Sequence, residues 1–378
     1  MSSTVLAPGR AGEAVSPDAA PVTVAAPMRR DPWLDNAKMV LVTLVVVGHS
    51  WTLLPATWVG SALYDFLYLW HVPAFVMVTG YLSRSFTWSR RHQSRLLTTV
   101  ALPYLIFEAA LAAFRTYVGG ESLEQVFVDP HWPMWYLSVL FVWRLATPVL
   151  RRLPRSLPVA VAVCLAGGLT PGDTLDAARA MALLPFFVLG LCARPEHVEM
   201  LRRPAVVRAG GALMLAALGA VVAAQGHLVT EWLYWRSSYA ELGVSFAEGV
   251  VWRSLLLLVS GALALGFLSL VPRRQSWLTA LAPATLVVYL FHGFVVKAVD
   301  YAGFSTWAAH DPMSSLALTT RGAVALALVL AAPVVASRLN VVVDPVGTVR
   351  RRLAAGRSVH ARTGADDGNR TRMFSLGS

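Results

Sequence analysis

The chain is built of long apolar blocks separated by short polar stretches. Several blocks run about 18 residues or more with few or no charges, the signature of a helix that crosses a bilayer core about 30 Å thick. Together they predict an all-α fold: a polytopic membrane helical bundle of about ten transmembrane helices. The spans fall near 38–58, 61–83, 97–117, 133–150, 157–173, 178–193, 205–224, 248–271, 277–301 and 315–338. The polar stretches alternate in charge. Arg29 and Arg30 precede the first span, and Arg84, Arg90, Arg91 and Arg95 follow the second. Basic clusters recur at Arg151, Arg152 and Arg155, at Arg194, Arg202, Arg203 and Arg208, at Arg273 and Arg274, and at Arg338 and 350–352. The intervening stretches carry Glu121, Glu124, Asp129, Asp173, Asp176, Glu231, Glu241 and Asp311 with few arginines. Every second loop is therefore basic, which places both termini in the cytoplasm.

Residues 1–30, rich in Ala, Pro, Val and Ser, read as a disordered cytoplasmic tail. Residues 31–340 form one transmembrane domain, and 341–378 read as a polar cytoplasmic tail. Composition agrees. The 378 residues are 56% hydrophobic and 14% charged, where a soluble domain carries about 25% charged residues. A net charge of +11 would suit nucleic acid, but the basic residues sit in loops between apolar blocks. The expected partner is the lipid bilayer of the plasma membrane, and no nucleic acid. Cys164 and Cys192 both lie in apolar blocks, which argues against a disulfide framework or a cysteine metal site. The chain has no phosphate-cradling loop, zinc helix or nucleophile elbow, and no metal is expected.

Candidate chemistry lies in the ionisable residues inside the apolar blocks, where such groups are costly and suggest function. Lys38 opens the first block and His49 follows after a ten-residue gap, roughly 16 Å along a helix axis and so near mid-depth of the bilayer. His71 lies mid-span beside Pro73, which is expected to kink its helix. Glu108, Arg144, Arg253 and His292 lie inside the third, fourth, eighth and ninth blocks. Three histidines, a carboxylate and two guanidiniums suggest a hydrated cavity. A histidine with a carboxylate to orient it makes a general base, and Glu108 or Asp65 could orient His49. The basic loop carrying Arg84, Arg90, Arg91 and Arg95, together with Lys38, suits phosphate binding. Trp132, Trp135 and Tyr136 form either a membrane-edge aromatic belt or a platform for sugar stacking. The same buried set would also serve a proton-coupled membrane transporter.

At these residues the chain resembles the acyltransferase family 3 membrane proteins, especially the sugar O-acetylase-like branch, over roughly residues 29–340. Arg30-Asp-Pro-Trp-Leu-Asp-Asn-Ala-Lys38 followed by Val47-Gly48-His49-Ser50 is similar to the family's motif of a basic residue, a ten-residue gap and a histidine. Leu69-Trp70-His71-Val72-Pro73-Ala74-Phe75 through Thr79-Gly80-Tyr81 is similar to a second motif. Met134-Trp135-Tyr136-Leu137, Pro185–Gly190 and Tyr289-Leu290-Phe291-His292 also have counterparts. Thr79 replaces a common Ser, Pro133 stands where a His often precedes the Trp, and a paired-Arg motif appears only loosely as Arg91…Arg95.

The resemblance implies an O-acyltransferase that moves an acyl group, acetyl by family default, from acyl-coenzyme A to a hydroxyl of a carbohydrate or glycoconjugate. Acyl-coenzyme A is then a co-substrate, and no cofactor is permanently bound. His49, with Glu108 and His71, is the expected catalytic set. Lys38, Arg84, Arg90, Arg91 and Arg95 would hold the donor, and Trp135, Tyr136, His292 and Arg144 the acceptor.

Overall fold

The computed structural model describes residues 31–349 apart from 124, 131 and 171–173. The tail expected at 1–30, the tail beyond 349, and Glu124 and Asp173 of the charge pattern lie outside the described residues. Among the described residues the structure is helical, with no strand.

Helix α1 spans Pro32–Trp51, α2 Trp58–Ser83 and α3 Arg90–Leu96. A single π-helical stretch, Leu97–Ala101, carries α3 into α4, Leu102–Tyr117. Next come α5 (Trp135–Arg152), α6 (Ser156–Ala166), α7 (Ala177–Ala182), α8 (Leu184–Cys192) and α9 (Pro195–Leu201). The chain continues through α10 (Pro204–Ala223), α11 (Phe246–Leu270), α12 (Trp277–Leu281), α13 (Thr285–Tyr301), α14 (Phe304–Ala308), α15 (Pro312–Ala331) and α16 (Pro333–Val343).

Among the described residues six stretches are long and apolar enough to cross a membrane: α2, α3 through α4, α10, α11, α12 through α13, and α15. Of the ten expected spans, α1 and α5 are not among these six, and two more have a different build. The block at 157–173 holds α6, whose 11 residues reach only about 16 Å before Gly167 and Gly168. The block at 178–193 divides into α7 and α8 just before Pro185, whose missing N–H and ring disfavour an unbroken helix. Large apolar side chains stand exposed along α10 and α15, Leu215 and Val329 among them, as expected where the solvent is lipid.

Helix α1 is the axis of the bundle, packed against α2, α12, α13 and α15. It starts at Pro32 and stops at Trp51, earlier at both ends than the expected 38–58. The early start is possible because its polar first turns are partnered. Lys38 Nζ lies 2.7 Å from Asp35 Oδ1, and Asn36 Nδ2 donates to the carbonyls of Pro272 and Arg274. Trp33 Nε1 donates to the carbonyl of Leu268 at 3.0 Å. The early stop precedes Pro55, which disfavours helix in the residue before it. His49 therefore sits in the last turn of α1 and not at its middle.

Helix α2 runs unbroken through Pro73. Its second half lies directly on α8. A Cβ added at Gly80 would come within 2.0 Å of the carbonyl oxygen of Phe187, and one at Gly190 within 1.9 Å of that of Met77. Only glycine permits this approach, the small-residue packing typical of membrane helices. It anchors the helix that carries His71, Phe75 and Thr79.

Candidate active site: two cavities and an aromatic partition

Eleven positions separate Lys38 from His49 on α1, or about three turns plus 20°. The two side chains therefore share one helix face, one at each end. Each lines a cavity of about 270 Å³.

The cavity at His49 is walled by Tyr64, Tyr68 and His71 from the first half of α2 and by Trp132 and Pro133 from the loop before α5. Trp135 and Tyr136 of α5, Arg179 of α7, Tyr234 to Arg236 of the loop before α11, and Tyr289 of α13 complete it. The cavity at Lys38 is walled by Val78, Thr79 and Leu82 from the second half of α2. Thr99 and Val100 of the π stretch, Arg144 of α5, and Thr285 and Leu286 of α13 close it. A π-bulge shifts the register of a helix face, frequently at functional sites; here it supplies Thr99 to the wall.

Three aromatic residues, Phe75, Tyr136 and Tyr289, line both cavities and form the partition between them. Tyr136 lies edge-on to Phe75 at 5.1 Å and to Tyr289 at 5.9 Å between ring centroids. Two of the three are fixed by hydrogen bonds: the Tyr136 hydroxyl pairs with Thr79 Oγ1, and the Tyr289 hydroxyl donates to the carbonyl of Pro133. Phe75 has no polar atom to be fixed by.

The hydrogen bonding around His49 sets its chemistry. Nδ1 of His49 lies 2.8 Å from Nε2 of His292. Nδ1 of His292 faces two backbone carbonyls, Tyr289 at 2.7 Å and Val288 at 3.2 Å. Carbonyls only accept, so Nδ1 of His292 carries the proton, and in the neutral ring its Nε2 is a lone pair. That lone pair accepts from Nδ1–H of His49. His49 Nε2 is left unprotonated in a ring that lines the cavity, the state a general base needs. Trp132 backs the His49 ring at 4.4 Å. His71 is fixed in the same tautomer, with Nδ1 donating to the carbonyl of Leu67 at 2.7 Å.

The sequence-derived candidates thus divide. His49, His71, Trp135 and Tyr136 share the first cavity, and Lys38 and Arg144 the second, which Tyr136 also borders. His292 is fully buried behind His49 and outside the cavity wall, so it meets the imidazole and not an acceptor. Glu108 is also fully buried, but outside the walls of both cavities. Asp65 receives hydrogen bonds from Thr230 and Gln225. The side chain hydrogen-bonded to His49 is that of His292 and neither carboxylate. Arg84 stacks on Tyr81 at 3.6 Å and donates to the carbonyl of Ala193. Arg90, Arg91 and Arg95 are exposed on α3 and line neither cavity. Arg253 is buried and donates to the carbonyls of Ser237 and Cys164, tying the loop before α11 to α6.

Arg179 was not among the sequence candidates. It donates from Nη1 to Asp176 Oδ1 at 2.7 Å and from Nε to the carbonyl of Tyr234 at 3.2 Å. Its guanidinium lies over the Trp135 ring at 4.8 Å. A charge three residues after an acidic one, at the start of an apolar block, was the signal that could have found it.

Nothing among the curated proteins or the solved structures matches the chain. A family model does: the acyltransferase domain of acyltransferase family 3 matches residues 31–338, which takes in α1 through most of α16 and both cavities. The chain belongs to acyltransferase family 3.

Proposed function

We propose that this membrane acyltransferase moves an acetyl group from acetyl-coenzyme A to a hydroxyl of a carbohydrate or glycoconjugate, with His49 as general base. The observation that carries the reading is the pair of cavities on one face of α1, meeting at Phe75, Tyr136 and Tyr289. Two substrates that react once need two approaches and one meeting point. The Lys38 cavity suits the donor. Lys38 and Arg144 offer charge to the coenzyme A phosphates, and the apolar stretch beyond them suits the thin pantetheine arm, which must cover the roughly 16 Å to His49. The basic loops at that end support a cytoplasmic position for it and for both termini. The His49 cavity, rich in hydroxyl, indole and imidazole groups, suits a sugar.

In the reaction, Nε2 of His49 takes the acceptor hydroxyl proton as the oxygen attacks the thioester carbonyl. The new O–C bond forms, the C–S bond breaks, and the proton passes from His49 to the departing coenzyme A thiolate. His292 holds His49 in the competent tautomer and supports the imidazolium through its Nε2 lone pair. No observation favours the transporter reading. Membranes carrying wild type or H49A, given radiolabelled acetyl-coenzyme A, test the proposal. Loss of a positioned base costs about 10²–10⁴-fold, so label should enter carbohydrate or lipid only with wild type. Equal labelling by folded H49A would remove His49 from the mechanism.

A further inference from the structure

The His49 cavity has an electrostatic property that a neutral sugar would not need. Among the described residues its walls carry two guanidiniums, Arg179 and Arg236, and no carboxylate. Arg179 is only 15% exposed, and its bonds to Asp176 and Tyr234 use Nη1 and Nε. No bond from Nη2 to a described residue competes with a ligand for its two hydrogens. Arg236 is exposed, lies 5.9 Å from the Tyr234 ring centroid, and has no ion-pair partner among the described residues. Asp176 faces both guanidiniums and has Asp129 within electrostatic reach, but neither carboxylate is on the wall, so a ligand meets the guanidiniums first, in a site whose histidines are neutral in the tautomers above.

The two adjoining hollows differ. One, of about 360 Å³, shares Thr52 and Trp132 with the cavity and holds Arg115, Lys297 and Asp300. Its charges neutralise one another: Glu121 pairs with Arg115 and Lys297, and Lys297 also with Asp300. Burial would raise the Glu121 carboxyl, but hydrogen bonds from Arg115, Tyr301 and Lys297 outweigh it and hold it at about 2. The other hollow, of about 410 Å³, borders Tyr64 and Tyr234 and carries Asp65 and Glu231. An anion is repelled there and gains nothing in the self-neutralised hollow, so the guanidinium wall is its place.

We infer that the acceptor bears an anionic group, a carboxylate or a phosphate, close to the hydroxyl that is acylated, and that Arg179 and Arg236 bind it. Planar guanidiniums match both groups with paired hydrogen bonds, and the aromatic walls take the sugar face. The inference rests on the transferase reading only in naming this cavity the acceptor site.

The test titrates the full chain in lipid nanodiscs with glucose, glucuronate and glucose 6-phosphate, following tryptophan fluorescence; Trp132, Trp135 and Trp235 line the cavity. At least one anionic sugar should saturate about tenfold more tightly than glucose, in a salt-sensitive manner. Tighter glucuronate names a carboxylate, and tighter glucose 6-phosphate a phosphate. The preference should fall several-fold in R236A, whose exposed side chain is dispensable for folding, and in R179K, which keeps charge but loses the planar fork. Equal binding of neutral and anionic sugars, an unchanged preference in both variants, or no saturable response up to about 50 mM overturns the inference. Failure of the two readings is separable. Anion binding without acetyl transfer would sink the transferase, and transfer without anion preference would sink the anion site.

Discussion

The two cavities on the inner face of α1 enclose the same volume, about 270 Å³ each, yet they are built from different chemistry. Beyond the three shared aromatics, the Lys38 cavity is walled by valines and leucines, with Lys38, Thr79, Thr99, Arg144 and Thr285 as polar points. The His49 cavity has few aliphatic side chains and is walled by phenols, indoles, imidazoles and guanidiniums. A flexible chain with a charged head fits the first, and a polyhydroxylated ring the second. On the proposed function, the contrast lets one bundle hold two unlike substrates. Phe75, Tyr136 and Tyr289 lie between the two environments, and on the proposed mechanism the spacing on α1 brings both substrates to His49.

On the proposed function, that division breaks in a graded way. The largest loss short of removing His49 itself falls on its positioning residue. H292A should lower kcat about 10–100-fold, the order expected when a reacting group is misplaced by about 1 Å, with KM for both substrates little changed. H292Q should recover part of kcat, because its amide oxygen can accept from His49 Nδ1–H. A purely structural role for His292 would not give that split or that rescue. Steady-state kinetics on purified protein reads both.

Donor-side damage should look different. K38A should raise KM for acetyl-coenzyme A about tenfold, through loss of a charge-assisted bond, and leave KM for the acceptor unchanged. A matching rise in acceptor KM would dissolve the division of labour. The smallest effect is expected at the partition. F75A, at the one partition residue not fixed by a hydrogen bond, should let water reach the thioester and raise the ratio of acetyl-coenzyme A hydrolysis to transfer several-fold. An unchanged ratio would mean that Phe75 does not separate the two environments.

Much of this arrangement was legible in the sequence, and the limits have physical causes. The apolar blocks and the Lys38–His49 spacing are properties of a single helix, so periodicity alone placed both residues. His71, Trp135 and Tyr136 were found because polar or aromatic residues stand out in an apolar run. The orienting partner was not legible. Glu108 is the expected type of residue for that task, but which helices touch is decided by packing, and α13 brings His292 against α1 instead. The donor-side arginines show the same limit. Charge between spans marks a loop, but Arg84 is drawn onto Tyr81 and the Ala193 carbonyl, and Arg90, Arg91 and Arg95 face outward. The arginine that does line the Lys38 cavity, Arg144, lies within a helix. Breaks at Gly167 and Pro185 were visible as residues, but their outcome, short helices in place of single spans, depends on the helices packed around them.

The central claim is that donor and acceptor enter from opposite ends of α1 and meet at His49. The most direct measurement uses proteoliposomes in which the protein's orientation is fixed by a protease-accessible tag, with radiolabelled acetyl-coenzyme A supplied to one face at a time. The account predicts acceptor labelling only when the donor is on the Lys38 face, and none from either face with H49A. Labelling at equal rates from both faces, or from the His49 face alone, would contradict it.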